Sequence, residues 1–238
     1  NSAHDTATPD QSTASPVQKR RILIADDAEL NRELAEALLS GEGHIIDFAA
    51  DGEEALRRVR EGGYDIVFMD VQMPRLCGRD ATRAIRALDG FADLPIIAMT
   101  AQALPEQIAD CLAAGMNDYV AKPLEPESLK LMVAKWLGAG QEPAPASVQA
   151  LPPHLLADLQ QRFIKRSRAD LDLILARDSE TDLKGVVHRT AGTAGSLGYG
   201  ALSDAALALD LKLSEGQQLS DEDWTQFISA LREAVKAA

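Results

Sequence analysis

Short apolar runs alternate with amphipathic patterns along residues 21–137, and this alternation constrains the fold more than any other feature. Residues 22–24 and 66–68 consist only of Ile, Leu, Val and Phe, which is typical of parallel strands buried on both faces. The alternation predicts an α/β fold, a doubly wound parallel sheet of five strands with helices on both faces. The predicted strands are 21–25, 44–48, 64–69, 95–99 and 118–120, and the predicted helices lie near 30–40, 52–61, 79–88, 104–114 and 126–137.

The rest of the chain divides into two flexible segments and a second domain. Residues 1–18 are rich in Ser, Thr, Ala, Asp and Pro, which predicts a disordered tether before a first domain at 19–138. A stretch of Gly, Pro, Ala and Ser predicts a linker at 139–149. Residues 150–238 carry no strand signal and are predicted to form an all-α, antiparallel four-helix bundle. Its helical patterns lie near 153–165, 168–177, 180–197, 201–214 and 221–236.

Charge and composition exclude some classes of function. Acidic residues outnumber basic ones by 37 to 24, and the net charge of -13 argues against contact with nucleic acid or an anionic membrane surface. No apolar run approaches the roughly 18 residues that cross a bilayer. The distant cysteines Cys77 and Cys111 are expected to be free thiols in a reducing cytoplasm. Because the sequence begins with Asn1 rather than Met, we expect it to be part of a longer protein.

Polar residues follow four of the predicted strands at the carboxyl edge of the sheet, where open α/β folds place their sites. Three carboxylates in one cleft repel each other and need a cation, and their hard oxygen ligands suit Mg²⁺. Each residue alone has an ordinary interpretation: an Asp in a turn, a solvated Lys, a structural Thr. Their combination predicts a phosphoryl-accepting site, in which Asp70 is the nucleophile and a basic side chain neutralises the transferring oxygens. The residues are Asp26, Asp27, Asp70, Thr100 and Lys122.

This first domain resembles a response-regulator receiver domain, a flavodoxin-like fold, in the stretches IADDAELNREL, FMDVQMP, PIIAMTA and NDYVAKPL. The resemblance implies that Mg²⁺ (or Mn²⁺) is held by Asp27, Asp70 and the backbone carbonyl of Gln72, with Asp26 assisting through water. It also implies that Asp70 accepts the phosphoryl group, which Thr100 and Lys122 then bind.

The resemblance further implies a switch in which Tyr119 turns inward when Thr100 moves. The alternative for Tyr119 is an ordinary, half-buried aromatic on an edge strand. One residue departs from the family pattern: Cys77 stands where many relatives have an acidic residue. We expect it to affect the loop after Asp70 or the choice of partner rather than the chemistry.

One histidine of the second domain lies in an unusual setting. The buried stripe predicted for residues 180–197 leaves His188 one position off the stripe and partly exposed. Gly185, Gly192 and Gly195 share its face, although each Gly inside a helix costs about 1 kcal/mol relative to Ala. A bare surface would let a partner's backbone approach the imidazole, which is a fair nucleophile near neutral pH. The alternative is an ordinary histidine beside a tightly packed helix.

The segment HRTAGTAGSLG resembles the signature of histidine phosphotransfer domains, which are four-helix bundles that carry one phosphorylatable histidine. The resemblance implies that His188 accepts and donates the phosphoryl group, supported by Gly192 and Gly195. Relatives usually have Lys three residues after the histidine, whereas this chain has Ala191. Lys184 and Arg189 are the two candidates to replace that charge, and simple solvation is the alternative for Lys184.

The two resemblances together predict a His–Asp phosphorelay. They suggest the C-terminal part of a hybrid sensor histidine kinase, cytoplasmic within a parent anchored in the inner membrane. The expected partners are an upstream kinase domain of the same polypeptide and a downstream response-regulator receiver, since the sequence shows no ATP-binding kinase domain. The alternative is a regulatory module in which phosphorylation of Asp70 controls domain docking and His188 is inactive. A phosphohydrolase is disfavoured, because Gln72 occupies the position of its second acidic residue.

Overall fold

The structure is a computed structural model that describes residues 19–39, 41, 43–101, 104–138, 152–176 and 182–236. The predicted tether at 1–18 and linker at 139–149 lie outside the described residues. In the described part of the chain, no helix is both long enough and apolar enough to cross a membrane. Cys77 and Cys111 are both free thiols.

The first domain contains the predicted five-stranded sheet, whose strands pair in the order β2-β1-β3-β4-β5. All four strand pairs are parallel, so the α/β, flavodoxin-like fold is confirmed. Every residue of β3 and β4 is buried, as expected for central strands covered on both faces. The strands are β1 (Arg21–Ala25), β2 (Ile45–Ala49), β3 (Ile66–Asp70), β4 (Ile96–Thr100) and β5 (Asp118–Ala121).

Helices alternate with these strands and return the chain to the same edge of the sheet. Asp70 and Thr100 are the last residues of β3 and β4, so both lie at the carboxyl edge. Gly78 opens the third helix directly against Asp70, because a Cβ there would lie only 2.0 Å from the carbonyl oxygen of Asp70. The helices are α1 (Glu29–Leu39), α2 (Gly52–Glu61), α3 (Gly78–Arg86), α4 (Pro105–Ala113) and α5 (Pro126–Leu137).

The second domain is the predicted helical bundle, with one correction. The two helices predicted at 153–165 and 168–177 form a single helix, because residues 166–167 contain neither Gly nor Pro and Ser167 is buried in the helix's apolar stripe. The next helix begins at Leu183, where Asp182 caps it by accepting a hydrogen bond from the backbone of Gly185. The helices are α6 (Pro153–Ala176), α7 (Leu183–Ala194), α8 (Gly200–Ser214) and α9 (Asp221–Lys236), with a 3-10 turn at Gly195–Leu197.

The bundle packs on the carboxyl edge of the sheet, with α6 and α7 against α1. Arg162 of α6 donates two hydrogen bonds to the carboxylate of Glu33 on α1, one of them 2.7 Å long. The Thr193 hydroxyl of α7 donates to Oδ1 of Asn31 at 2.7 Å. This docking places the histidine-bearing helix directly over the acidic edge of the sheet.

Candidate functional site

Three carboxylates meet at the carboxyl edge of the sheet. Asp26 and Asp27 follow β1, and Asp70 ends β3, the neighbour of β1. One oxygen from each lies within 4.8 Å of the others, which is close enough to share one metal ion. Sheet topology therefore brings together residues that are more than 40 positions apart in sequence.

Lys122 is the cation within this cluster. Its Nζ lies 2.6 Å from Oδ2 of Asp70 and 2.8 Å from Oδ2 of Asp26, and all three side chains are almost completely buried. Burial alone would lower the pKa of Lys122, but the two carboxylates outweigh burial and raise it. Burial would likewise raise the pKa of Asp70, but Lys122 and His188 hold it below its usual value. The Lys122–Pro123 peptide bond is cis.

The charge balance of the cluster fits a divalent cation. Burial, together with the charges of Asp70 and Asp26, raises the pKa of Asp27 to about 6. Within the first domain, one lysine does not neutralise three carboxylates, and oxygen-rich clusters of this kind suit Mg²⁺. The backbone N–H of Gln72 donates to Oδ1 of Asp70 at 3.1 Å, which fixes the start of the loop after β3 against Asp70.

Thr100 and Tyr119 lie on the neighbouring strands β4 and β5. Thr100 is buried at the end of β4, and its carbonyl accepts a hydrogen bond from the backbone of Lys122 at 2.7 Å. Tyr119 lies on the edge strand β5 and is 39% exposed, so its ring is not buried in this state. The switch role of this pair remains a prediction.

His188 lies on α7 and faces the acidic cluster. Its Nε2 is 3.9 Å from Oδ2 of Asp70, and no hydrogen-bond partner contacts this nitrogen among the described residues. The histidine is only 7% exposed, so the prediction of partial exposure was wrong. The physical reason is that the first domain packs over this face of α7, with Asp70 and Lys122 against it.

Asp210 of α8 holds the other side of the imidazole and was missed by the sequence analysis. Its Oδ2 lies 3.1 Å from Nδ1 of His188, and the carboxylate is completely buried. Burial alone would lower the pKa of His188, but Asp210 and Asp70 outweigh it and raise the pKa to about 10. The available signal was an isolated acidic residue within the apolar run ALALDLKL, since unpaired acids are almost never fully buried.

The glycines on the face of His188 have two different surroundings. A Cβ at Gly192 would lie 3.3 Å from side-chain atoms of Asn31 and Lys122, and one at Gly195 would lie 2.9 Å from Pro123. These two glycines allow the first domain to approach α7 closely, although its side chains rather than its backbone make the contact. A Cβ at Gly185 would instead meet the Asp182 carboxylate of the same helix.

The structure separates the two candidates for the missing lysine. Lys184 is exposed, one turn before His188 in α7. Arg189 lies in the interface, where its Nη1 is 3.9 Å from Oδ2 of Asp27 and its buried Nε has no hydrogen-bond partner among the described residues. Ala191, at the usual lysine position, is completely buried in the hydrophobic core.

Fold and site define a class of protein: an α/β domain with a cluster of aspartates, joined to a helical bundle that presents a histidine to this cluster. Residues 22–134 match the response regulator receiver domain, and residues 158–238 match the Hpt (histidine phosphotransfer) domain. The chain belongs to the response-regulator receiver family and carries a C-terminal Hpt domain. These domains and their relatives place it in two-component phosphorelay signalling.

Known relatives cover one domain or both. Two-component response regulator ORR41 of Oryza sativa subsp. japonica is 40% identical over 49% of this chain and 93% of its own length. Aerobic respiration control sensor protein ArcB of Escherichia coli (strain K12) is 27% identical over 94% of this chain, which spans only 33% of ArcB. Sensor protein GacS of Pseudomonas syringae pv. syringae is 40% identical over 52% of this chain and 14% of its own length.

Among solved structures, the receiver domain of sensor histidine kinase PA1611 from Pseudomonas aeruginosa PAO1 is 39% identical. The match covers 51% of this chain and 100% of that chain, with a TM-score of 0.48. That structure has a magnesium ion coordinated in its active-site cleft.

Proposed function

We propose that this chain is a two-station phosphoryl carrier, in which Asp70 and His188 exchange a phosphoryl group within one molecule. The observation that carries the proposal is the 3.9 Å distance between Oδ2 of Asp70 and Nε2 of His188. A phosphorus atom midway between them would lie about 2 Å from each, the separation of partial bonds in a loose transition state. The docked domains therefore bring the two groups close to the separation that transfer needs, and a small outward shift of His188 would make room for the phosphoryl group.

Asp210 sets up the reactive form of the imidazole. Its carboxylate accepts the Nδ1–H of His188, so the nitrogen that faces Asp70 is Nε2. In the unphosphorylated chain His188 is paired with the Asp70 carboxylate as an imidazolium. Once Asp70 is phosphorylated, it no longer stabilises the imidazolium, so Nε2 would lose its proton to water and become the nucleophile. In the transfer the O–P bond to Asp70 breaks, the N–P bond to His188 forms, and the Asp70 carboxylate is released; the reverse reaction restores the acyl phosphate.

The receiver supplies most of the charge that this reaction needs. Asp27, Asp70 and the Gln72 carbonyl would hold Mg²⁺, with Asp26 assisting. When bound, Mg²⁺ offsets the charge of the phosphoryl oxygens. Lys122 would bind another of these oxygens, and the Thr100 hydroxyl would bind a third. Mn²⁺, with similar ligand preferences, is expected to substitute.

We assign the role of the missing Hpt lysine to Arg189. Its guanidinium lies at the rim of the acidic cluster, and its unpaired, buried Nε is a donor available to a phosphoryl oxygen. Lys184 is exposed and acts as an ordinary solvated residue.

The partners follow from this chemistry. A kinase domain, in the same polypeptide, would supply the phosphoryl group to Asp70, and a downstream receiver would take it from His188. We place these exchanges in the cytoplasm, with the parent protein anchored in the inner membrane. A second candidate is a regulatory module whose docking responds to Asp70 phosphorylation. It is favoured by the burial of both stations in the interface, where Asp70 is 1% and His188 is 7% exposed.

Phosphoryl tracing tests the proposal. The full chain is loaded on Asp70 with a labelled small-molecule acyl phosphate in Mg²⁺, and label is followed in unmodified, Asp70→Asn and His188→Gln chains. Two-station transfer predicts acid-labile label on His188 of the unmodified chain. It also predicts only hydroxylamine-sensitive label in His188→Gln, and none in Asp70→Asn. Transfer within one chain further predicts a rate independent of protein concentration.

A mixture of the two variants provides the control for transfer between chains. Only His188→Gln can be loaded and only Asp70→Asn can receive, so transfer in the mixture must be bimolecular. If label never reaches His188 of the unmodified chain, the two-station function is wrong and the regulatory module is supported. If label reaches His188 only at a rate proportional to protein concentration, transfer is intermolecular and the intrachain route is wrong.

A further inference from the structure

Asn31 of α1 lies between the acidic cluster and the Hpt domain, and it contacts both. Its Nδ2 lies 3.1 and 3.2 Å from the two carboxylate oxygens of Asp26. Its Oδ1 accepts the hydroxyl of Thr193 at 2.7 Å. Asn31 is 1% exposed and Thr193 is 3% exposed, so water does not compete for these hydrogen bonds.

The chemistry of the neighbours fixes the orientation of the amide. The Asp26 carboxylate accepts hydrogen bonds from Lys122 and from the backbone of Ala28, so it requires donors from Asn31 as well. The NH₂ group of Asn31 must therefore face Asp26, which leaves the carbonyl for Thr193. A change at Thr193 thus acts on Asp26 through a single, defined side chain.

In the docked chain, donors fill the hydrogen-bonding capacity of Asp26. Oδ1 accepts from Ala28 and Asn31, and Oδ2 accepts from Asn31 and Lys122. An ionised carboxylate offers about four lone-pair sites, so none is left for a cation or for a water bound to one. Asp26 can assist a cation only if Asn31 or Lys122 releases it.

We infer that Asn31 couples domain docking to cation binding, because docked Thr193 holds Asn31 on Asp26 and so lowers the affinity of the acidic cluster for a divalent cation. The inference rests on the proposed cation site and concerns its regulation. Coupling is reciprocal, so a bound cation loosens the contact between the domains by the same factor. A cation-loaded receiver would therefore release His188 more readily to another receiver.

Calorimetric titration of Mg²⁺ into the unphosphorylated full chain tests this coupling. Thr193→Val removes the hydroxyl at nearly constant shape, and we expect it to tighten Mg²⁺ binding about 5-fold. Thr190→Val is the matched control: Thr190 is also buried in α7, but its hydroxyl donates to Val186 of its own helix. Thr190→Val should leave the Kd for Mg²⁺ unchanged. Thr193→Ser keeps the hydroxyl, so its Kd for Mg²⁺ should equal that of the unmodified chain. Thermal unfolding, monitored by circular dichroism, checks that each variant is folded.

A second background tests whether the effect passes through Asn31. In an Asn31→Ala chain, Thr193→Val is expected to leave the Kd for Mg²⁺ unchanged, because the connection is already broken. Equal Kd values for the unmodified, Thr193→Val and Thr190→Val chains would overturn the coupling, and so would a full effect of Thr193→Val in the Asn31→Ala background. An unmodified chain that binds no Mg²⁺ would overturn the proposed cation site as well. These readouts require no phosphoryl transfer, so failure of the coupling is distinguishable from failure of the two-station function.

Discussion

Nδ1 of His188 lies 3.1 Å from Oδ2 of Asp210, a carboxylate with no exposed surface. This contact determines which ring nitrogen faces Asp70, so it controls the proposed transfer without touching the phosphoryl group. Asp210 is thus a positioning residue.

Two replacements of Asp210 should distinguish the effect of its charge on the transfer rate from the effect of its hydrogen bond to His188. Asp210→Asn retains a carbonyl that accepts the Nδ1–H, so we expect it to transfer label from Asp70 to His188 faster than Asp210→Leu. Asp210→Leu should be at least about 10-fold slower than the unmodified chain, since general positioning effects have this size or more. Single-turnover label transfer is the measurement, and Asp204→Asn, an exposed residue of the same helix, is the control. Equal rates for Asp210→Leu and the unmodified chain would exclude the positioning role.

Arg189 and Lys184 should differ in their effect on transfer. We expect Arg189→Gln to slow transfer to His188 about 10-fold or more, because the loss of a charged donor to the phosphoryl oxygens costs more than 1 kcal/mol. Lys184→Gln should leave the rate unchanged, since that side chain is exposed to solvent. Both rates come from the single-turnover assay. The opposite ranking would assign the support of phospho-His188 to Lys184.

The Glu33–Arg162 pair should stabilise the docked state. Charge reversal of one partner, Glu33→Arg or Arg162→Glu, places like charges together, and we expect intrachain transfer to slow about 10-fold. The double reversal should recover most of the rate, because the pair is restored with opposite polarity. Small-angle X-ray scattering provides an independent measure, with a larger radius of gyration for each single variant. Failure of the double variant to recover would show that these residues act separately rather than as a pair.

Gly192 should be required for docking but not for folding of the bundle. A Leu side chain at this position would occupy the space of Asn31 and Lys122, so Gly192→Leu should expand the chain in scattering and slow intrachain transfer. Gly200→Leu is the control, because no atom lies within 4 Å of a Cβ at Gly200. Helical circular dichroism should be retained in both variants. A compact, fully active Gly192→Leu chain would contradict the docking described here.

Lys122 and the divalent cation should both offset the negative charge of the cluster, so the cation should compensate in part for loss of the lysine. Lys122→Met leaves Asp26 and Asp70 buried without their partner, which we expect to lower the free energy of unfolding by roughly 3–5 kcal/mol in the absence of metal. Mg²⁺ should restore more stability to this variant than it adds to the unmodified chain. Denaturant unfolding with and without Mg²⁺ measures both effects. Lys135→Met, at an exposed lysine paired with Asp118, should show neither.

Sequence patterns predicted the architecture because its determinants are local. The apolar runs at residues 22–24 and 66–68 predicted parallel strands, and β1 and β3 do pair in parallel. The sheet topology then brings Asp26, Asp27 and Asp70 together. One error concerned a helix of the second domain. Arg166 and Ser167 were interpreted as a helix break, although Ser167 continues the buried stripe of α6.

The contacts between the domains could not be predicted from periodicity. Periodicity identifies a buried face within an element, but it does not show what covers a polar face. His188 was therefore expected to be partly exposed, and Asn31, Thr193 and Asp210 carried no sequence signal strong enough to assign a role.

The near-complete burial of Asp70 and His188 has a consequence for the duration of a signal. An acyl phosphate and a phosphoimidazole are both lost when water attacks them, and the closed interface leaves only 1% and 7% of these residues accessible. In the proposed function, a phosphoryl group that moves between the two residues in the closed interface would be shielded from hydrolysis. The rate at which the interface opens, rather than the intrinsic lability of either bond, would then set the lifetime of the phosphorylated state after a stimulus ends.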